Sequence, residues 1–102
     1  MTPEDFQQSL SQNTPPMAFA APLRALWWDA RGDWEQAHAQ VDSLETDQGM
    51  RAHAYLHRKQ GDEANAAYWY HRAGRATPAV SLAEEWGSLL QEFLLAASRN
   101  LL

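Results

Sequence analysis

Gly61-Asp62-Glu63-Ala64-Asn65-Ala66-Ala67-Tyr68-Trp69-Tyr70-His71-Arg72-Ala73-Gly74-Arg75-Ala76-Thr77-Pro78 reads as one helix fenced at both ends. Gly61 can take the left-handed backbone that ends a preceding helix. Asp62 then offers a side-chain oxygen to the unpaired N–H groups of the next helix start. Ala66, Tyr70 and Ala73 follow at steps of four and three residues, so they share one face in a small–large–small order. Small residues let an antiparallel partner helix approach closely, and the tyrosine fills the gap between them. The helix is expected to run to Ala73 or Gly74, with Thr77-Pro78 closing the segment.

The same device stands upstream at Gly32-Asp33, where Gln36 completes the spacing of a capping box and Trp34, Ala37, Val41 and Leu44 form the apolar stripe. Before it, a helix begins near Pro22 and carries Leu23, Leu26, Trp27 and Ala30 on one stripe. Thr46-Asp47-Gln48-Gly49 reads as a break, and a fourth helix is expected over 50–59. At the N-terminus, Thr2-Pro3-Glu4-Asp5 supplies a cap, a first-turn proline and acids near the positive helix end. That helix should reach about Gln12, ahead of Pro15-Pro16. Ser81 with Glu84 opens a sixth helix. No window alternates apolar and polar residues, and Val and Ile are nearly absent, so no strand is expected.

The order and spacing after Gly61, and more loosely after Gly32, resemble the tetratricopeptide repeat, over about residues 22–78. In the first copy Leu44 and Gly49 depart from the pattern, and the two turns lie 29 residues apart against about 34 in the typical repeat. His53-Ala54-Tyr55-Leu56-His57-Arg58 and Tyr68-Trp69-Tyr70-His71-Arg72-Ala73-Gly74-Arg75 also look like the signature of a family of small uncharacterised bacterial proteins. The first resemblance implies an all-α, degenerate α-α superhelix type of fold: a six-helix bundle of tetratricopeptide-like hairpins in one domain spanning 1–102. The second supports that fold and implies no activity.

The chain has no cysteine, which excludes disulfides, thiolate metal sites and cysteine nucleophiles. Its net charge of −5 argues against nucleic acid as a partner. Charge is unevenly placed: residues 51–75 carry +3 and the remainder −8. Either the acidic ends fold over the basic middle or pair across a dimer, or the basic stretch is an anion-binding face. The acidic start is unlike a signal peptide and no run suits a membrane span, so a cytoplasmic protein with no membrane partner is expected.

Candidate chemistry concentrates in the basic stretch. His53 and His57 are four apart, a spacing at which two imidazoles can share a metal, and His71 on the next helix is a conceivable third ligand. The basic neighbours discourage a cation, so interhelical hydrogen bonding is the preferred role, and no metal or other cofactor is expected. Tyr68, His71, Arg72 and Arg75 share a second stripe of the fifth helix. With His53 and His57 they are candidate ligands for a small carboxylate or phosphate. Against this, Arg72 and Arg75 could pair with acids such as Glu84 and Glu85. Trp27, Trp34, Trp69 and Trp86 are expected in the core, with Trp28 and Tyr68 at a pocket rim.

Residues 80–98 form an unusually apolar C-terminal helix. Leu82, Trp86, Leu89, Phe93 and Ala96 make one stripe, and Leu90, Leu94, Ala97 and Leu101 an adjacent one. So wide a sector is either gripped by two layers of the bundle or forms an interface, with Leu82, Trp86, Leu89 and Phe93 as the interface candidates. No nucleophile elbow, phosphate loop or paired acid/base carboxylates occur. The expected function is a non-catalytic interaction or scaffold module for a protein or peptide, or for a second copy in a homodimer. Binding of a small anionic metabolite is the alternative, and a metal-dependent enzyme comes third.

Overall fold

A computed structural model describes residues 1–99, so Leu101 of the outer C-terminal stripe lies outside the described residues. The chain is all-α: α1 (Pro3–Ser9), α2 (Ala21–Ala30), α3 (Trp34–Val41), α4 (Asp47–Gln60), α5 (Glu63–Arg72) and α6 (Leu82–Arg99), with no strand among the described residues. α2 packs along α3 and α4 along α5 as two helical hairpins, which meet where α3 and α2 contact α4. α6 crosses α2 and α4, and α1 rests on α6.

Local chemistry explains where the helices start and stop. Asp33 and Asp62 accept from the N–H groups of Gln36 and Asn65, capping α3 and α5. Immediately before each, Gly32 (φ +80°) and Gly61 (φ +90°) reverse the chain in the left-handed region. The N–H groups of Asp33 and Asp62 then bond back to the Trp28 and His57 carbonyls, each at 2.9 Å. This is the Schellman closure, and it satisfies carbonyls that the helix end would otherwise leave unpaired.

The structure revises two boundaries. α1 ends at Ser9, short of Gln12, where the Ser9 hydroxyl donates to the Phe6 carbonyl at 2.6 Å and accepts from the Trp27 indole at 3.1 Å. Thr46-Asp47-Gln48-Gly49 is a helix start: the Thr46 hydroxyl accepts from Gly49 N–H and α4 begins at Asp47. An N-cap threonine and a break look alike in sequence, because both place a β-region polar residue ahead of an apolar run.

The core gathers Phe6, Phe19, Leu23, Leu26, Trp27, Val41, Tyr55, Leu56, Leu89 and Phe93. Trp27 and Phe6 are wholly buried. Ala54, Ala66 and Tyr70 make a smaller cluster between α4 and α5, roofed by Trp69. Leu89 and Phe93 are each 1% exposed, and Leu82 and Trp86 pack half-buried against the core. Leu90 and Leu94 of the second stripe are buried as well. Among the described residues the bundle itself therefore holds the middle of both stripes, and as interface residues Leu89 and Phe93 are corrected to core.

Candidate functional site

Three imidazoles converge between the hairpins. His53 and His57 stand one turn apart on α4, a spacing that places them on one face. His38, from the last turn of α3, reaches across to them. The His38 and His53 Nε2 atoms lie 3.0 Å apart, and one potential ligand atom from each of the three rings falls within 4.8 Å of the others. His53 and His57 are 4% and 6% exposed, whereas His38 is half-buried at the rim.

Aromatic rings wall the cluster. Trp34 stacks on His38 with centroids 4.8 Å apart, and Trp69 stacks on His53 at 4.2 Å. The Trp34 indole N–H donates to the Leu56 carbonyl at 2.8 Å, tying α3 to α4 beside the histidines. His57 Nδ1 lies 3.3 Å from Gln60 Oε1, which assigns its proton to Nδ1 and leaves Nε2 a free lone pair. His53 Nδ1 is buried without a hydrogen-bond partner among the described residues.

The surroundings favour the neutral form of His38 and His53. Burial, reinforced by His38 and His57, pushes the His53 imidazole down to about 4, against the opposing pull of Asp42. Burial and then His57 lower His38 in the same direction. Neutral imidazole is the protonation state that metal binding needs.

The flanking cations do not point there. Arg51 forms a bidentate pair with Glu92 at 2.6 and 3.1 Å, and also reaches Asp47. Arg58 donates to buried Glu85 at 2.8 Å and to the Val80 carbonyl. Glu85 also accepts from the Tyr70 hydroxyl at 2.5 Å, and burial raises that phenol so that it stays protonated. Lys59 and the Tyr55 hydroxyl converge on buried Asp29 at 2.8 and 2.9 Å. The basic middle is thus neutralised within the chain by Asp29 on α2, Asp47 on α4 itself, and Glu85 and Glu92 on α6.

The sequence-derived ligand set separates into three places. His53 and His57 lie in the cluster, but His71 is exposed on α5, and His38 takes the third position. Arg72 lies over the Tyr68 and Trp69 rings, at 5.8 and 5.0 Å, and contacts Glu45 at 3.4 Å. Arg75 pairs with Asp47 at 3.5 Å and lines a recess of about 430 Å³ beside Arg51, Tyr70, Glu85 and Ser88. Neither arginine pairs with Glu84 or Glu85; Arg58 holds Glu85 instead. Trp28 packs edge-on against Trp27, partly buried beside the core.

Sequence reasoning missed His38. The available signal was its position four residues after Trp34, on the stripe adjacent to the one that carries the core. No protein-family model, curated protein or solved structure matches the chain.

Proposed function

We propose that this chain is a non-catalytic binding module, a tetratricopeptide-like pair of helical hairpins that docks a protein or peptide segment through the outer face of α5. The observation that carries this reading is the ladder of Tyr68, Trp69 and Arg72. Tyr68 is 54% exposed, meets Trp69 edge-on at 5.1 Å, and shares Arg72 with it as a cation–π partner. Tyrosine, tryptophan and arginine dominate the energetic centres of protein interfaces, and here the three lie in mutual contact. A fitting partner segment is acidic or aromatic, because Arg72 is only loosely engaged by Glu45.

Self-association is the simplest version of this reading. Light scattering on the purified chain should show concentration-dependent dimerisation that Tyr68→Ala and Arg72→Ala weaken. A monomer at all concentrations removes the homodimer version. If, in addition, immobilised acidic and aromatic peptides bind wild type and the double variant equally, the reading as a whole fails.

The recess beside Arg75 favours a second reading, binding of a small anion. Arg51, Arg75 and Ser88 line it, with Glu85, already held by Arg58, on the same wall. A thermal-shift screen with phosphate and dicarboxylates tests it: stabilisation that Arg75→Ala abolishes supports this reading, and no shift in the wild type rejects it.

A further inference from the structure

We propose that His38, His53 and His57 form a binding site for one late first-row divalent metal ion of the Zn2+ class, with three imidazole ligands and a fourth position open toward the rim where His38 meets solvent. This inference goes beyond the interaction reading and stands or falls independently of it.

Geometry carries the case. Zn–N bonds of about 2.0–2.1 Å at tetrahedral angles place ligand nitrogens about 3.3 Å apart. The His38–His53 separation of 3.0 Å is slightly tighter than that, and the 4.8 Å bound on the set is looser. The three rings thus already stand near the spacing of a tetrahedral ligand set. The two α4 ligands come from a rigid helix, and α3 is fixed to it by the Trp34 indole bond to Leu56.

Hydrogen bonding supplies a second, independent observation. A buried histidine kept for packing normally gives both ring nitrogens a partner. Here His53, 4% exposed, has its Nδ1 unpartnered, and its Nε2 faces another imidazole nitrogen. An ion between the rings would replace that imidazole–imidazole contact, held by the two Nε2 lone pairs, with the His53 proton on Nδ1. Gln60 holds His57 in the tautomer whose Nε2 is free, the role an outer-shell partner plays at metal sites. Trp34 and Trp69 provide the apolar wall. The ligand set is all nitrogen, which suits Zn2+, Co2+, Ni2+ or Cu2+ and disfavours Mg2+ and Ca2+.

Electrostatics does not oppose a cation once the arginines are placed. Arg51 and Arg58 are bound to α6 carboxylates, and Arg72 lies over Trp69, the ring stacked on His53.

The test is titration of Zn2+ alone and of Co2+ alone into the full chain after chelator treatment, followed by calorimetry, thermal shift and visible absorption. The expected result is one ion per chain, a Tm raised by roughly 10 °C or more at about a hundredfold excess over Kd, and the intense visible bands of four-coordinate Co2+. His38→Ala, at a half-exposed position, should fold and bind at least about tenfold more weakly. His57→Gln should behave likewise, and His71→Ala should bind as wild type. Absence of stoichiometric binding overturns the proposal. So does binding that survives His38→Ala undiminished, or binding that His71→Ala removes.

Discussion

His38 and His53 face each other through Nε2 atoms 3.0 Å apart, each ring backed by a stacked tryptophan. One nitrogen must donate and the other accept, so this pair requires at least one neutral ring. Protonating both would place two cations in contact inside a desolvated pocket, with His57 alongside.

The acid side of the stability profile should report this directly. His53 is lowered from 6.5 to about 4 by burial and then by its two histidine neighbours. Its folded value lies below its unfolded one, so the unfolded chain takes up the proton first as pH falls. Stability is therefore full above about 6.5 and drains away down to about 4, by an amount on the order of 2–3 kcal/mol. His38 adds in the same direction, while Asp42, facing both rings, opposes it. Urea midpoints measured with chelator present should fall between pH 6.5 and 4.5, before Glu92, which its bond to Arg51 holds below the usual carboxylate value, begins to titrate. His53→Gln should flatten that window; an equally steep slope in the variant refutes the assignment.

Glu85 joins three elements through one carboxylate, accepting from Arg58 on α4 and from Tyr70 on α5 while standing on α6. Its side chain is 7% exposed and that of Arg58 21%. Glu85→Ala leaves a shielded guanidinium and a buried phenol without their acceptor, and should cost about 3 kcal/mol. Tyr70→Phe, which removes one donor and little volume, should cost about 1 kcal/mol. Glu84, one residue earlier and exposed, is the control, and Glu84→Ala should stay within about 0.5 kcal/mol. Equilibrium denaturation of the three variants checks the ranking.

The all-α class and the helix order were legible because capping chemistry is local: Thr2, Asp33, Asp62 and Ser81 each bond an N–H three residues on. Side-chain partners across the bundle were not. Arg58 and Glu85 are 27 residues apart and Arg51 and Glu92 are 41, and no periodicity in the sequence encodes how α6 crosses α4. The same limit hid the histidine cluster. The i, i+4 spacing found His53 and His57, but whether His38 or His71 completes them depends on which hairpin neighbour faces that side of α4. His71 belongs to the better-formed turn, and the packing selects the other helix.

Gly49, in the first turn of α4, lies close against the segment that connects the hairpins. A Cβ there would lie 2.6 Å from Leu44 Cβ and 2.9 Å from the Thr46 hydroxyl oxygen that caps the helix. Neither atom is the free end of a flexible chain, so the backbone itself must move. Gly49→Ala should therefore destabilise by about 1–3 kcal/mol, although alanine is the better helix former. A stabilised variant in thermal denaturation contradicts the close packing.

Gly61 and Gly87 give opposite expectations for one substitution. Gly61 ends α4 at φ +90° with open space around it, so alanine there meets no neighbour but must hold a left-handed backbone. The expected loss is about 1 kcal/mol, from conformation alone. Gly87 sits inside α6, exposed, with nothing within 4 Å of a Cβ. Alanine there lowers the entropy of the unfolded chain and favours the helix, so Gly87→Ala should stabilise by about 0.5–1 kcal/mol. The two variants in one calorimetric series separate backbone strain from packing, since neither adds a steric contact. Should both shift Tm in the same direction, either the left-handed turn at Gly61 or the helical placement of Gly87 is wrong.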